Sequence, residues 1–275
     1  MITGITVNGY EIPRNRIQTV DGLDSPPYRV SASLLAGMDG AQYNRSYADK
    51  RSIALGWLIL EADMSSFLDH RNEVFNAFNP AEGEIELEIE INYDTTYKIT
   101  CVVDDIKLGL RAADNTWAPA LARLTAYDPI IKSSVTHANS GIAVPGGGGA
   151  TFPLTFPIVF QTQNTGTVFV NNDGNVAAYP ILTLTGLLTN PVIRNVDTGE
   201  YFQLTYTSQV GDSIVIDMRE RTVTLNGATS LITRVAAGSS WWTLQPGSTQ
   251  VAINTGASSD TGTMEIAWND AWDAI

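Results

Sequence analysis

The sequence has very little of what most enzymes and membrane proteins need. It holds one cysteine, Cys101, and two histidines, His70 and His137. A single cysteine excludes an internal disulfide and a cysteine metal cluster, and its place in the mostly apolar run 99–103 predicts a small core residue. No stretch reaches the roughly 18 uninterrupted apolar residues of a spanning helix, so no membrane insertion is expected. The first residues lack a basic region followed by a long apolar segment, which predicts no signal peptide and synthesis in a cytoplasm.

Positive charge is also scarce. The chain has 16 Lys and Arg against 29 Asp and Glu, a formal net charge of −13. Residues 1–135 carry 12 basic against 19 acidic side chains, and residues 136–275 carry 4 against 10. This balance argues against binding to the phosphate backbone of a nucleic acid, which needs a basic surface. It does not argue against DNA passing nearby, because a wall of like charge repels phosphates.

Recognisable catalytic and metal-binding motifs are missing. We find no G-x-S-x-G elbow, no H-E-x-x-H, no C-x-x-C and no EF-hand loop, and the glycine run 146–149 is not followed by G-K-[ST]. With 29 acids, a carboxylate pair is unavoidable and does not indicate glycoside hydrolysis. A cell-wall hydrolase therefore has no signature here. We expect no catalytic residue, no metal site and no cofactor, and we predict that the protein is not an enzyme.

The first half alternates between strand patterns and turns. Residues 5–7 precede Asn8-Gly9, a strong hairpin turn, and residues 52–60 predict a buried strand. Residues 84–91 alternate strictly between Glu and apolar residues, which predicts a strand with one carboxylate face. The turn 92–94 leads into a second strand, 97–103, and so predicts a hairpin.

One segment breaks the strand pattern and predicts the single helix, at residues 65–78. Ser65 or Ser66 can cap its start, and Asn79-Pro80 ends it. Its apolar side chains form one helical stripe, which predicts packing on a sheet. The stripe consists of Phe67, Leu68, Val74, Phe75 and Phe78.

A glycine-rich stretch separates the halves. Residues 144–150 read VPGGGGA, which has high backbone freedom and little to pack. We predict a first domain at 1–136, a linker at 137–152 and a second domain at 153–275. Short predicted strands at regular spacing indicate a β-sandwich or jelly roll for the second domain. They lie at 158–161, 167–171, 181–186, 192–195, 201–206, 213–217, 222–225, 241–244, 250–253 and 262–268.

Two groups of side chains have both a structural and a functional interpretation. Four like charges on one strand face either form a solvated surface that discourages aggregation or line a water-filled channel. These are Glu84, Glu86, Glu88 and Glu90. Tryptophans of the second half either pack in a core or interface or stack on a saccharide. The candidates are Trp241, Trp242 and Trp268.

The order of turn-and-strand segments along the chain resembles the distal tail proteins (Dit) of long-tailed, non-contractile bacteriophages. Each segment alone is a weak pattern, but their order covers nearly the whole chain. The segments are residues 2–9, 20–26, 36–41, 49–53, 179–186, 190–193, 211–217, 221–227, 238–247 and 268–272.

The resemblance implies a mainly β fold, with an N-terminal ring-forming β-sandwich that carries one helix and a long hairpin. The C-terminal domain would be a galectin-like jelly roll. Six copies would form a hub ring in the virion, at the distal end of the tail. The ring would join the tail tube protein to the tail-tip or fibre hub protein and leave a channel for DNA. In isolation two rings could pair back to back. We see no long inserted arm in the second domain.

The resemblance therefore predicts a structural tail-hub protein. The alternative is a tail-tip module that recognises host saccharides through the three tryptophans named above. The four glutamates are the predicted channel lining.

Overall fold

The computed structural model describes residues 1–109, 116–145, 166–257 and 259–275. The chain divides into two compact units. The first comprises Met1–Ser134 together with Trp272–Ile275, and the second is Val135–Ala271. Both are built from antiparallel sheets, and the predicted mainly β fold is confirmed.

The first unit contains ten strands and one α-helix among its described residues up to position 134. They are β1 (Ile2–Val7), β2 (Tyr10–Ile12), β3 (Ile17–Asp21), β4 (Tyr28–Leu34), β5 (Ala41–Ala48), β6 (Arg51–Leu60), α1 (Met64–Ala77), β7 (Glu84–Ile91), β8 (Thr95–Leu108), β9 (Trp117–Ala126) and β10 (Ile131–Ser133). Short 3₁₀ turns occupy Arg14–Arg16 and Pro80–Glu82.

The main sheet of this unit has the strand order β2-β1-β7-β8-β9-β6-β3, and β10 adds to β8. Alternation along each strand sends every second side chain into one core. Seven strands supply core side chains that are at most 2% exposed, among them Ile5, Leu55, Leu87, Ile99 and Leu124. This burial is the main favourable contribution to the stability of the unit, at roughly 25 cal/mol per Å² of apolar surface.

The turn and the helix follow their local sequence closely. Asn8 and Gly9 both adopt positive φ, which joins β1 to β2 in the two-residue hairpin that Asn-Gly favours. The helix starts one residue earlier than predicted, and its cap is Asp63, whose side chain accepts from the Ser66 amide. Neither Ser65 nor Ser66 is the cap, because the Asp63 carboxylate already accepts the hydrogen bond from the Ser66 amide.

The buried face of α1 also differs from the predicted stripe. Phe67, Val74 and Phe78 are buried as predicted, and Phe78 stacks on Trp57 of β6 with ring centroids 5.1 Å apart. Leu68 is instead exposed, and Phe75 lies under the Arg71 guanidinium. The sheet therefore covers a narrower stripe than the apolar pattern suggests.

A buried arginine ties three other segments of the first unit to the start of β6. Arg51, 1% exposed, opens that strand and donates from Nε to the Pro129 carbonyl at 3.0 Å. Its Nη1 donates to the carbonyls of Gly22 at 2.8 Å and Asp24 at 2.5 Å, and its Nη2 donates to that of Asp273 at 2.6 Å. Burial lowers the pKa of this guanidinium from its ordinary value, and the carbonyl dipoles offset the cost of burying the charge.

The second unit is a sandwich of two antiparallel sheets. One has the strand order β11-β20-β13-β16-β17-β18 and the other β12-β19-β14-β15. The strands are β11 (His137–Ala143), β12 (Thr167–Asn172), β13 (Ile181–Thr185), β14 (Val192–Asn195), β15 (Tyr201–Gln203), β16 (Ser213–Asp217), β17 (Thr222–Leu225), β18 (Thr229–Ser230), β19 (Gly247–Asn254) and β20 (Thr263–Trp268). A 3₁₀ turn at Ile232–Arg234 lies between β18 and β19, and the short β21 (Ala271–Trp272) follows β20.

Two sequence predictions for this half need correction. Residues 137–143, predicted as linker, form β11 and pair with β20, so the second unit starts earlier than predicted. Residues 241–244 are not a strand, since only Leu244 forms an isolated bridge, to Ala178. The last residues return to the first unit. The glycines 146–149 and the predicted strand 158–161 lie outside the described residues.

Candidate assembly surfaces

The most unusual feature of the first unit is the hairpin β4–β5. Its strands pair with each other from Tyr28↔Ala48 to Leu34↔Ala41, with a bulge after Ser31. Within the described chain they form a separate two-stranded sheet. Every residue of β4 is exposed, and so are most residues of β5. The hairpin therefore packs on little of its own unit.

The two faces of this hairpin differ in chemistry. Residues opposite each other share a face, so the register places Tyr28, Val30, Leu34 and Tyr43 together on an apolar face. Val30 is 64% exposed, Leu34 88% and Tyr43 61%. We call these four residues the apolar face of the hairpin.

The opposite side is the basic face of the hairpin, formed by Arg29, Arg45 and Tyr47. Arg29 lies opposite Tyr47, and Arg45 lies opposite Ser31. Arg29 forms an ion pair with Asp49 at 3.2 Å, and Arg45 donates to the Tyr47 hydroxyl at 3.4 Å.

An isolated two-stranded hairpin is marginally stable in water. This one also exposes large apolar side chains and leaves both outer edges without a strand partner in the described chain. Contiguous exposed apolar surface of this kind marks an interaction site. The hairpin is the candidate contact arm of the protein.

The four glutamates lie on one face of β7, as predicted. β7 pairs with β1 and β8, so this face belongs to the interior of the sheet and not to an edge strand. Glu86 lies 3.8 Å from Lys98, and Glu90 accepts from the Thr3 hydroxyl at 2.9 Å. Glu84 is exposed and Glu88 half-buried. We call these four glutamates the acidic strip of β7. Lys98 partly neutralises the strip at Glu86.

Two of the three tryptophans of the alternative hypothesis are buried. Trp242 is 1% exposed and Trp268 is 6% exposed, because both indoles fill the core of the sandwich. Trp268 also donates from Nε1 to the Asn171 carbonyl at 2.9 Å. Trp241 is half-buried against Phe202, with ring centroids 4.7 Å apart. Two of the three candidates are therefore inaccessible to a ligand.

A hydrogen-bonded chain that the sequence did not reveal lies beside α1. His70 Nδ1 is 2.7 Å from Glu61 Oε1, and His70 Nε2 is 2.6 Å from the Tyr10 hydroxyl. An ionised carboxylate only accepts, so His70 Nδ1 carries a proton and donates to Glu61, while Nε2 forms the hydrogen bond with the Tyr10 hydroxyl. Burial raises the pKa of Tyr10 to about 12, which keeps the phenol protonated as a donor. Glu61 also pairs with Arg16 at 3.4 Å.

This neighbourhood predicts an acid sensitivity of the first unit. The hydrogen bond from His70 lowers the pKa of Glu61, and the bond from the Ser66 amide lowers the pKa of Asp63. Because the folded pKa values are depressed, the unfolded chain binds more protons as the pH falls. The stabilisation is present above the ordinary carboxyl pKa and is lost as the pH falls below about 4.5.

Urea unfolding of the first unit between pH 6 and pH 3 measures this loss. The double variant Glu61→Gln, Asp63→Asn should lose less stability over that range than the unsubstituted chain. Equal losses in the two proteins would contradict the assignment.

The described residues hold no cluster of three or more His, Cys, Asp or Glu side chains placed to bind a metal ion. In the same residues, no helix has the length and apolar character needed to cross a membrane. Cys101 is buried, and burial raises the pKa of its thiol to about 12.

Comparison with known proteins gives two kinds of similarity. Residues 173–272 match the family of the siphovirus-type tail component, C-terminal domain. The whole chain resembles the crystal structure of the SPP1 Dit protein, a hub of the adsorption apparatus in phages that infect Gram-positive bacteria. The TM-score is 0.68, with 12% identity over 98% of each chain.

A chain of the phage p2 baseplate in its activated conformation with Sr is similar over 97% of each chain, with 11% identity and a TM-score of 0.51. No curated protein sequence matches. The resemblance to the distal tail proteins is confirmed, in the sequence of the second unit and in the fold of the whole chain. The family match supports a structural component of a phage tail, and the likeness of the whole chain to the two solved structures supports the fold.

Proposed function

We propose that this chain, which has the fold of a Dit protein and the C-terminal domain of a siphovirus-type tail component, forms a hexameric hub ring at the distal end of a phage tail. The ring joins the last ring of the tail tube to the tail-tip or fibre complex. Its role is structural, and DNA passes through its centre during ejection.

The observation that carries this proposal is the hairpin β4–β5. Its apolar face exposes Val30, Leu34 and Tyr43 to solvent in a single copy. A second copy of the chain is the occupant that the proposal requires. Contact between two different surfaces of identical copies, repeated by rotation about one axis, produces a closed ring. Such an assembly needs no catalytic residue, which is consistent with the motif analysis.

The acidic strip of β7 is the proposed wall of the channel. Its four carboxylates project from consecutive alternate positions of one interior strand, so they form a continuous line about 20 Å long at roughly 3.3 Å per residue. A wall of like charge repels DNA phosphates and prevents adhesion during passage. Lys98 is the one cation that β8 contributes to this strip by an ion pair in the described structure.

Reversal of this charge should slow DNA passage. In phage that carry Lys at positions 84, 86, 88 and 90, tails should assemble and DNA ejection should slow by about tenfold, because the channel would attract phosphates. Ejection is followed by a DNA-binding dye after receptor addition. Replacement of the same four residues by Gln is the graded control and should give an intermediate rate. Normal ejection with the Lys variant would contradict the assignment of these four glutamates to the channel wall.

The location of the protein tests the proposed function directly. Purified virions are labelled with an antibody raised against the second unit and imaged by electron microscopy. Label at the distal end of the tail is the expected result. Label on the capsid, or none on intact virions, would contradict a hub.

A further inference from the structure

A concave site lies between the β1–β2 turn, β2 and α1. The cavity has a volume of about 640 Å³. Glu11 on β2 and Glu73 on α1 carry its carboxylates, and Tyr10 and His70 line it beside them. We call this the Glu11–Glu73 pocket. It lies in the first unit and has no part in the proposed channel.

The pocket is held rigidly on one side. The phenol of Tyr10 is fixed by His70, which is fixed in turn by Glu61. The Asn8-Gly9 turn closes another side with a two-residue loop of defined geometry. A surface whose groups are already oriented loses less conformational entropy when a partner binds.

The charge of the pocket is negative. Glu11 and Glu73 are exposed, and neither forms an ion pair in the part of the chain that the structure describes. Glu61 is already engaged by Arg16 and His70. These two carboxylates, beside the Tyr10 phenol and the His70 ring, suit a cationic side chain, which can also lie against the Tyr10 ring.

The basic face of the hairpin supplies that chemistry within the same protein. Arg45 has a tyrosine hydroxyl and no carboxylate among its described partners, and Arg29 is 72% exposed despite its ion pair. The hairpin carries two arginines against one acid, Asp39 in its loop, in a chain whose net charge is −13, so it is a locally basic arm on an acidic body. The arm lies exposed in a single copy, so its basic face is available to another copy.

We propose that the Glu11–Glu73 pocket of one copy receives the basic face of the hairpin of the next copy. The inference rests on the proposed ring and names the surface that closes it. The acidic strip of β7 is a less suitable receiver, because it is part of a sheet face and not a cavity, and two of its carboxylates already have partners. The two arginines give the contact its register, and the apolar face, on the opposite side of the hairpin, remains available to another surface of the ring.

Charge exchange tests the contact. Glu73→Arg and Arg45→Glu should each raise the dissociation constant of the assembly about tenfold or more, because each places like charges together. The protein that carries both substitutions should recover roughly half of the loss or more. Sedimentation velocity over a concentration series measures assembly, and circular dichroism melting verifies that each variant is folded. Glu73→Gln removes the negative charge without reversing it and should weaken assembly less than Glu73→Arg.

Glu82→Arg is the matched control, since Glu82 is an exposed acid outside the pocket. It should leave assembly unchanged. If the unsubstituted chain never assembles, the proposed function fails. If it assembles and Glu73→Arg has no effect, or the exchange gives no recovery, the pocket is not the receiver of the hairpin, while the ring itself stands.

Discussion

Arg51→Met should lower the free energy of unfolding of the first unit by about 3–5 kcal/mol. The guanidinium satisfies four backbone carbonyls, and Met fills similar volume without donating to any of them. Buried acceptors without partners cost about 1–3 kcal/mol each, and local relaxation recovers part of that. The loss should be accompanied by loosening of the hairpin, because Gly22 and Asp24 lie just before β4 and Arg51 itself follows β5.

The measurement is urea unfolding combined with amide hydrogen exchange, so that each unit is followed separately. Lys50→Met removes an adjacent, exposed cation and is the matched control, with an expected change below about 0.5 kcal/mol. Arg51→Lys should be nearly as damaging as Arg51→Met, because an ammonium cannot reach carbonyls on opposite sides of a planar fork. A loss below about 1 kcal/mol for Arg51→Met would contradict the stabilising role of these four hydrogen bonds.

The triple variant Val30→Ser, Leu34→Ser, Tyr43→Ser should abolish assembly while leaving the isolated copy as stable as before. These side chains are exposed in a single copy, so their removal costs the fold little. In the ring they are the apolar contact, and their loss should raise the dissociation constant by about 100-fold or more. Sedimentation velocity measures the shift from ring to single copies.

Phe169, Val196 and Val210 provide the control for this experiment. They are exposed apolar residues of the second unit, 67%, 42% and 82% accessible, and lie outside the proposed ring contact. Their replacement by Ser should not change assembly. If the hairpin variant assembles as well as this control, the apolar face of the hairpin does not hold the ring together.

The local features of the fold were predictable because they depend on near neighbours in the sequence. The Glu-apolar alternation placed β7 at Glu84–Ile91, and Asn8-Gly9 placed the first hairpin. The start of α1 was misplaced by one residue, because a competing acceptor, Asp63, lay just before the predicted serines. Local pattern alone cannot rank two possible caps.

The features that depend on distant partners were not predictable in the same way. Residues 137–143 are mostly polar or small and have no strand alternation, and their pairing with β20 makes them a strand. The sequence pattern could not distinguish an exposed aromatic from a buried one, so Trp242 and Trp268 became ligand candidates. The resemblance implied a long hairpin without placing it, although Tyr28, Val30 and Leu34 alternate with polar residues at strand spacing.

The candidate surfaces also include features set by near neighbours in the sequence and features set by distant partners. The acidic strip was visible in the sequence, since period-two spacing fixes which side chains share a face. The chain Glu61–His70–Tyr10 was not, because it joins the loop after β6, helix α1 and strand β2. No pattern of spacing connects those three positions.

The mass of the purified protein in solution is the most direct test of the ring. Native mass spectrometry should give six times the 29.7 kDa of one chain, or twice that mass if two rings join back to back. A mass of 29.7 kDa at every concentration and ionic strength tested would contradict it, because the hairpin would then be stable in water with no copy beside it.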